Sequence, residues 1–177
     1  MKAIRSGIIL LLVQLGLVLT VAGTYLYERQ TRPRVWTRAT HYDPDLPMRG
    51  RYLAMQLLLD ACGLPRNAAI RPYVPGPSIW QWNVSLRAAG GKLSPVADKS
   101  LSPRNAGTLT LAEGKPCDQA TLSTQLLFFI PERARLPLPL KEGQDLWVEV
   151  TVPSSGAPRP IQIALSGADG FRPLRMN

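Results

Sequence analysis

The chain has 177 residues, with 21 Lys and Arg against 12 Asp and Glu and a formal net charge of +9. That length holds one ordinary domain with a hydrophobic core of its own. Two cysteines and a single histidine fall short of a zinc ligand set, and the absence of a basic run outside Arg29 to Arg38 argues against a nucleic-acid binder.

The first element is apolar. Lys2 and Arg5 precede an unbroken stretch from Gly7 to Leu26, 20 residues in which Gln14 is the only strongly polar member, closed by Tyr25 and Tyr27. As a helix it spans ~30 Å, the thickness of a bilayer's hydrocarbon core. Two readings follow. A secretory signal peptide would use Val21-Ala22-Gly23 as its cleavage site, but its apolar region is shorter than this one. A retained anchor suits the length and the flank of Glu28, Arg29, Arg32 and Arg34 with aromatics at the interface. The expected organisation is therefore a transmembrane anchor over 1–27, a tether over 28–34 and a β-rich domain over 35–177. Lys2, Arg5 and the terminal amine nearly balance Arg29, Arg32 and Arg34 beyond the span, so the positive-inside count is weak. The short amino-terminal tail favours an amino terminus in the cytoplasm and the domain outside.

Beyond the anchor, seventeen prolines and fourteen glycines, with no long helical pattern, predict a mainly β body. Its form is expected to be a small sandwich or barrel of about 6–8 mostly antiparallel strands. Setting aside Lys2 and Arg5 leaves 19 basic against 12 acidic residues, a net +7, for the exposed part. That excess suits solubility and attraction to an anionic lipid surface beside the anchor.

Val35 to Thr40 opens a strand. His41 to Gly50, with Pro44 and Pro47, makes a rigid turn. Over Tyr52 to Cys62 local rules conflict, because the Leu, Ala, Met and Gln content and the terminal Gly63 and Pro65 suit a helix, whereas Leu53, Met55, Leu57 and Leu59 alternate as in a strand. Trp80, Trp82, Val84 and Leu86 alternate with polar residues and predict a strand with one aromatic face. Ala88 to Gly107 reads as a flexible stretch, and Thr108 to Ala112 as a short strand. Leu126 to Ile130 is a continuous apolar run ended by Pro131, as in a central strand buried on both faces. Leu146 to Val152 and Ile161 to Leu165 alternate on either side of a Pro- and Gly-containing turn and predict an antiparallel hairpin. Cys62 and Cys117, 55 residues apart, are either a disulfide in an exported domain or two reduced thiols.

Several of these residues resemble a known family. Arg49-Gly50-Arg51-Tyr52, preceded by Tyr42-Asp43-Pro44 and followed by Phe129-Ile130-Pro131-Glu132, is similar to the bacterial membrane-anchored proteins named for a Gly-Asp-Tyr-x-x-Leu-x-Tyr motif. Gly50 and Tyr52 match that motif; Arg51, Met55 and Leu57 stand where the family has Asp, Leu and Tyr. The resemblance implies a small β domain outside the cytoplasmic membrane, beside polytopic membrane proteins, with no known reaction. It also favours strand over helix for Tyr52 to Leu59. Arg49, Gly50, Tyr52, Pro131 and Glu132 become the candidate site residues. Their structural reading is a turn glycine, a tyrosine capping the core, a strand-ending proline, and a glutamate accepting from Arg49 or Arg51.

Catalysis has poor materials. His41 with Asp43 and Asp45 lies in one short turn, and no serine or cysteine sits in an elbow motif, so the chain is expected not to be an enzyme and to need no cofactor or metal. Trp80, Trp82 and Tyr73 with Arg71 and Arg87 have the composition of a stacking surface. Strand alternation instead puts Trp80 and Trp82 on the core side. Asn83-Val84-Ser85 has the form of a glycosylation acceptor, incidental in a bacterial chain. The expected function is that of a single-pass membrane-anchored envelope protein whose β domain acts by interaction with a membrane or envelope partner, most simply a membrane protein. The alternative is an envelope enzyme or ligand-binding domain with a site near Arg49, Tyr52 and Glu132.

Overall fold

The computed structural model describes residues 2–41, 52–70, 78–98, 106–131, 140–153, 157–168 and 170–174. The chain divides into two compact units, Met1–Arg32 and Pro33–Asn177.

The first unit is a single helix, α1 (Lys2–Thr31). Within it Gly7–Tyr27, 21 residues, is long and apolar enough to cross a membrane, and none of its side chains is buried. At 1.5 Å per residue it measures about 32 Å. A hydroxyl in such a segment needs an internal partner, and two find one a turn back: Thr20 Oγ1 donates to the Gly16 carbonyl at 2.7 Å and Thr24 Oγ1 to the Thr20 carbonyl at 2.9 Å. The helix runs on through most of the expected tether. Glu, Arg and Gln have good helix propensity, and Pro33 then disfavours helical geometry at the residue before it.

The second unit is mainly β. Its described residues form nine strands: β1 (Arg34–His41), β2 (Tyr52–Leu59), β3 (Ile79–Ala89), β4 (Lys92–Ala97), β5 (Ala106–Ala112), β6 (Ala120–Phe129), β7 (Asp145–Thr151), β8 (Arg159–Gly167) and β9 (Gly170–Pro173). They make one sheet in the order β4-β3-β5-β6-β2-β1-β7-β8-β9, with every pairing antiparallel. The sheet curls into a half-barrel, and β4 packs against β1 and β2, which are not its neighbours in the hydrogen-bonded order. The inner face is the core.

Alternation decides which side chains face inward. In β2, Leu53, Met55, Leu57 and Leu59 are each no more than 2 % exposed. Burying each contributes roughly 1.5–3 kcal/mol. Helix propensity differs among ordinary residues by at most ~0.7 kcal/mol, so burial settles the conflict in favour of a strand. Thr37 is the polar exception in β1, and its hydroxyl donates to the Leu58 carbonyl at 3.1 Å. The predicted hairpin is present as β7 and β8, with Leu146 opposite Leu165, Val148 opposite Ile163 and a bulge between Glu149 and Val150.

Three expectations need correction. The stretch from Ala88 to Gly107 is not wholly flexible, because it contains β4, joined to β3 by a tight turn at Gly90 and Gly91 with φ of 58° and 75°. A Gly-Gly pair supplies the two positive φ values that a type I′ hairpin requires, and the signal was legible. The run from Leu126 to Ile130 is buried on one face only: Leu126 and Ile130 are 3 % exposed, whereas Leu127 and Phe129 are 59 % and 58 % exposed. Tyr52 does not cap the core either. It precedes Leu53 by one residue, so the pleat carries its ring to the outer face.

Candidate functional site

The functional candidates lie on the outer face and at the end of the sheet where β2 stops and β6 starts. There Leu59 pairs with Ala120, and this register brings two short turns together. Asp60 follows β2 directly, and its Oδ1 accepts from the Cys62 backbone N–H at 2.8 Å. The Ala61 N–H donates to the Cys117 carbonyl, also at 2.8 Å. Cys117 begins a 3-10 turn, Cys117–Gln119, behind Pro116. With these restraints the Cα atoms of Cys62 and Cys117 stand 4.9 Å apart and the two sulfurs are bonded, so the disulfide alternative holds. The next residue, Asp118, receives Arg38 from β1. The Arg38 Nη2 donates to its Oδ2 at 2.6 Å and to its carbonyl at 3.0 Å.

Two apolar features sit on the outer face. Tyr52 is the cross-strand partner of Phe129, with ring centroids 5.6 Å apart in an edge-on arrangement, and Leu127 pairs with Ala54 two residues along. Tyr52, Leu127 and Phe129 thus form one exposed patch at the end of the sheet opposite the Arg34 end of β1. The second feature is an aromatic clasp. Phe171 of β9 lies edge-on to Trp36 at 4.9 Å and to Trp147 at 6.0 Å, and the Trp147 Nε1–H donates to Ser166 Oγ at 2.9 Å. Edge-to-face contacts of this kind add ~0.5–1.5 kcal/mol each beyond area burial, a contribution beside the β8 pairing to holding the four-residue edge strand.

Of the candidates from the sequence, the structure brings Tyr52 and Pro131 to the same end of the β2–β6 pair. Arg49, Gly50 and Glu132 lie outside the described residues, as do Arg51, Asp43, Asp45, Arg71 and Tyr73. The backbone of His41 closes β1 opposite Met55. Trp82 is buried, as alternation predicts, and its Nε1–H donates to the Pro65 carbonyl at 3.1 Å. Trp80 packs partly buried against the core, with the Arg66 guanidinium 5.6 Å from its ring centre. Trp36, Trp147, Phe171, Arg38 and Asp118 were not singled out from sequence. Trp36 and Trp147 each occupy the off-beat of a buried alternation, which was the available signal; nothing local pairs Arg38 with a residue 80 positions away.

These features define a class: an all-antiparallel, single-sheet β domain, stapled by one disulfide, in a chain whose amino-terminal helix has the length and apolarity of a membrane span. No family model, curated protein or solved structure matches the chain. The described outer-face side chains include exposed apolar residues, aromatic edge contacts and one ion pair.

Proposed function

We propose that this is a single-pass protein of the bacterial inner membrane, with α1 as its retained anchor and its β domain in the periplasm, acting by association with another membrane or envelope protein. The observation that carries the reading is the Gly7–Tyr27 segment, whose length matches a bilayer core and whose side chains are all exposed. The disulfide supports a location outside the cytoplasm, where such bonds form and persist. The Tyr52, Leu127 and Phe129 patch supports binding over chemistry, since contiguous exposed apolar surface marks interaction sites. The resemblance to the Gly-Asp-Tyr-x-x-Leu-x-Tyr proteins points the same way, towards a polytopic membrane neighbour.

The test has two parts. A reporter active only outside the cytoplasm, fused after Asn177, should be active, and the chain should resist carbonate extraction with an unprocessed mass. A processed chain released to the soluble fraction would assign the segment to a signal sequence and end the anchor reading. Purification in mild detergent should then return one membrane protein reproducibly, and substituting Leu127 and Phe129 by Ser should lose it.

A further inference from the structure

We propose that Asp60, Cys62 and Cys117 form a redox-gated site for a thiophilic divalent cation of the zinc type, closed while the disulfide stands and open when it is reduced. The ligand atoms of these three exposed residues lie within 4.8 Å of one another. Cysteine and histidine counts alone argue against zinc in this chain; the third donor is a carboxylate, Asp60, that tertiary structure places beside the sulfurs.

The sulfurs owe their proximity to more than the bond between them. Leu59 pairs with Ala120 on one side of the turns, the Ala61 N–H binds the Cys117 carbonyl, and Arg38 holds Asp118 in the same 3-10 turn. None of these contacts involves sulfur. Cutting the S–S bond therefore leaves two thiols in the same place, with Asp60 beside them. The Asp60 Oδ1 accepts one backbone N–H, and an ionised carboxylate has further lone pairs for a metal.

The chemistry of the donors selects the cation. Two thiolates and one carboxylate, with a water in the fourth position, make a tetrahedral S₂O₂ set that suits zinc, whereas calcium and magnesium require oxygen throughout. The gating step balances. A dithiol reductant gives two electrons and two protons to the Cys62–Cys117 bond and becomes a disulfide itself; zinc binding then releases the two thiol protons to solvent. The oxidised form offers no thiolate and so no site.

The experiment titrates Zn²⁺ against a chromogenic chelator, using the full chain in detergent. Chain reduced with a phosphine, which adds no competing thiol, should take up one equivalent, and oxidised chain none above the Cys62→Ser/Cys117→Ser variant. Asp60→Asn keeps the acceptor for the Cys62 N–H and removes the charge. It should weaken zinc at least ~10-fold, the lower end of what second-shell losses cost. Reduced chain that binds no more zinc than the double-serine variant would overturn the site. Asp60→Asn with unchanged affinity would remove the third ligand and overturn it equally. Loss of the β-sheet circular dichroism on reduction also counts against it, because the scaffold is held here to be independent of the bond.

Discussion

Arg38 on β1 and Asp118 in the turn before β6 are joined by two hydrogen bonds from one guanidinium nitrogen, across the strand β2 that lies between them. Both side chains are partly open to solvent, at 29 % and 47 % exposure, so the pair is screened. Arg38→Ala should lower stability to urea by about 0.2–1 kcal/mol. In a double-mutant cycle with Asp118→Ala, the coupling should shrink in salt on the order of 1 M, where the Debye length is ~3 Å. A coupling that salt leaves unchanged would assign the pair a buried character that its exposure denies.

Removing the disulfide should be the costlier change at the same place. It closes a separation of 55 residues, for which chain entropy gives about 4 kcal/mol at 25 °C. Domains of this size have roughly 5–15 kcal/mol in all, so Cys62→Ser/Cys117→Ser should remain folded with a lower urea midpoint. Equilibrium unfolding of the two forms, side by side, measures the difference.

The one-sided burial of β6 makes a paired prediction. Leu126→Ala removes a side chain that is 3 % exposed and should cost about 2–5 kcal/mol. Leu127→Ala, one residue on and 59 % exposed, should stay within about 0.5 kcal/mol. Equal costs would mean that both faces are packed, as the unbroken apolar run first suggests.

Gly107 in β5 is a close-approach glycine. A Cβ there would stand 2.6 Å from Leu122 Cδ1 and 3.3 Å from its Cγ. Leu122 is fully buried, so making way for that Cβ means shifting its side chain within the packed core. Gly107→Ala should therefore destabilise by about 1–3 kcal/mol, the range for overpacking. Gly63→Ala, which meets nothing within 4 Å, is the control, and thermal melts of the two variants test the contrast.

The anchor reading yields its own substitution. Leu17 lies near the middle of Gly7–Tyr27, and an arginine there costs roughly 2.5–3.5 kcal/mol of insertion on the biological scale. Leu17→Arg should raise the carbonate-extractable fraction, while Arg at Lys2 should leave it unchanged.

Much of the fold was legible because period-two alternation is a local property. Val84 and Leu86, Leu146 to Val152, and Ile161 to Leu165 announced strands and their hairpin. The helix–strand conflict over Tyr52 to Leu59 was legible as a conflict; partners on both sides, β1 and β6, resolve it by burying one face. The apolar run in β6 misled for a related reason. Five consecutive apolar residues do not say whether the second face is covered, and here Leu127 and Phe129 are left outside. The site was less legible still: Tyr52 and Pro131 were named, while the Trp36, Trp147 and Phe171 clasp depends on β9 folding back beside β8.

By itself the sequence determined the apolar segment of membrane-spanning length, the β character of the body, and the two cysteines available to pair. These follow from composition, segment length and the pleat, which act over a few residues. Only the tertiary structure decided that Cys62 meets Cys117, that Asp60 stands beside them, that Arg38 reaches Asp118, and that Tyr52, Leu127 and Phe129 share an exposed patch. Each of those depends on strand order and register, and register is set by the joint burial of side chains far apart in the chain.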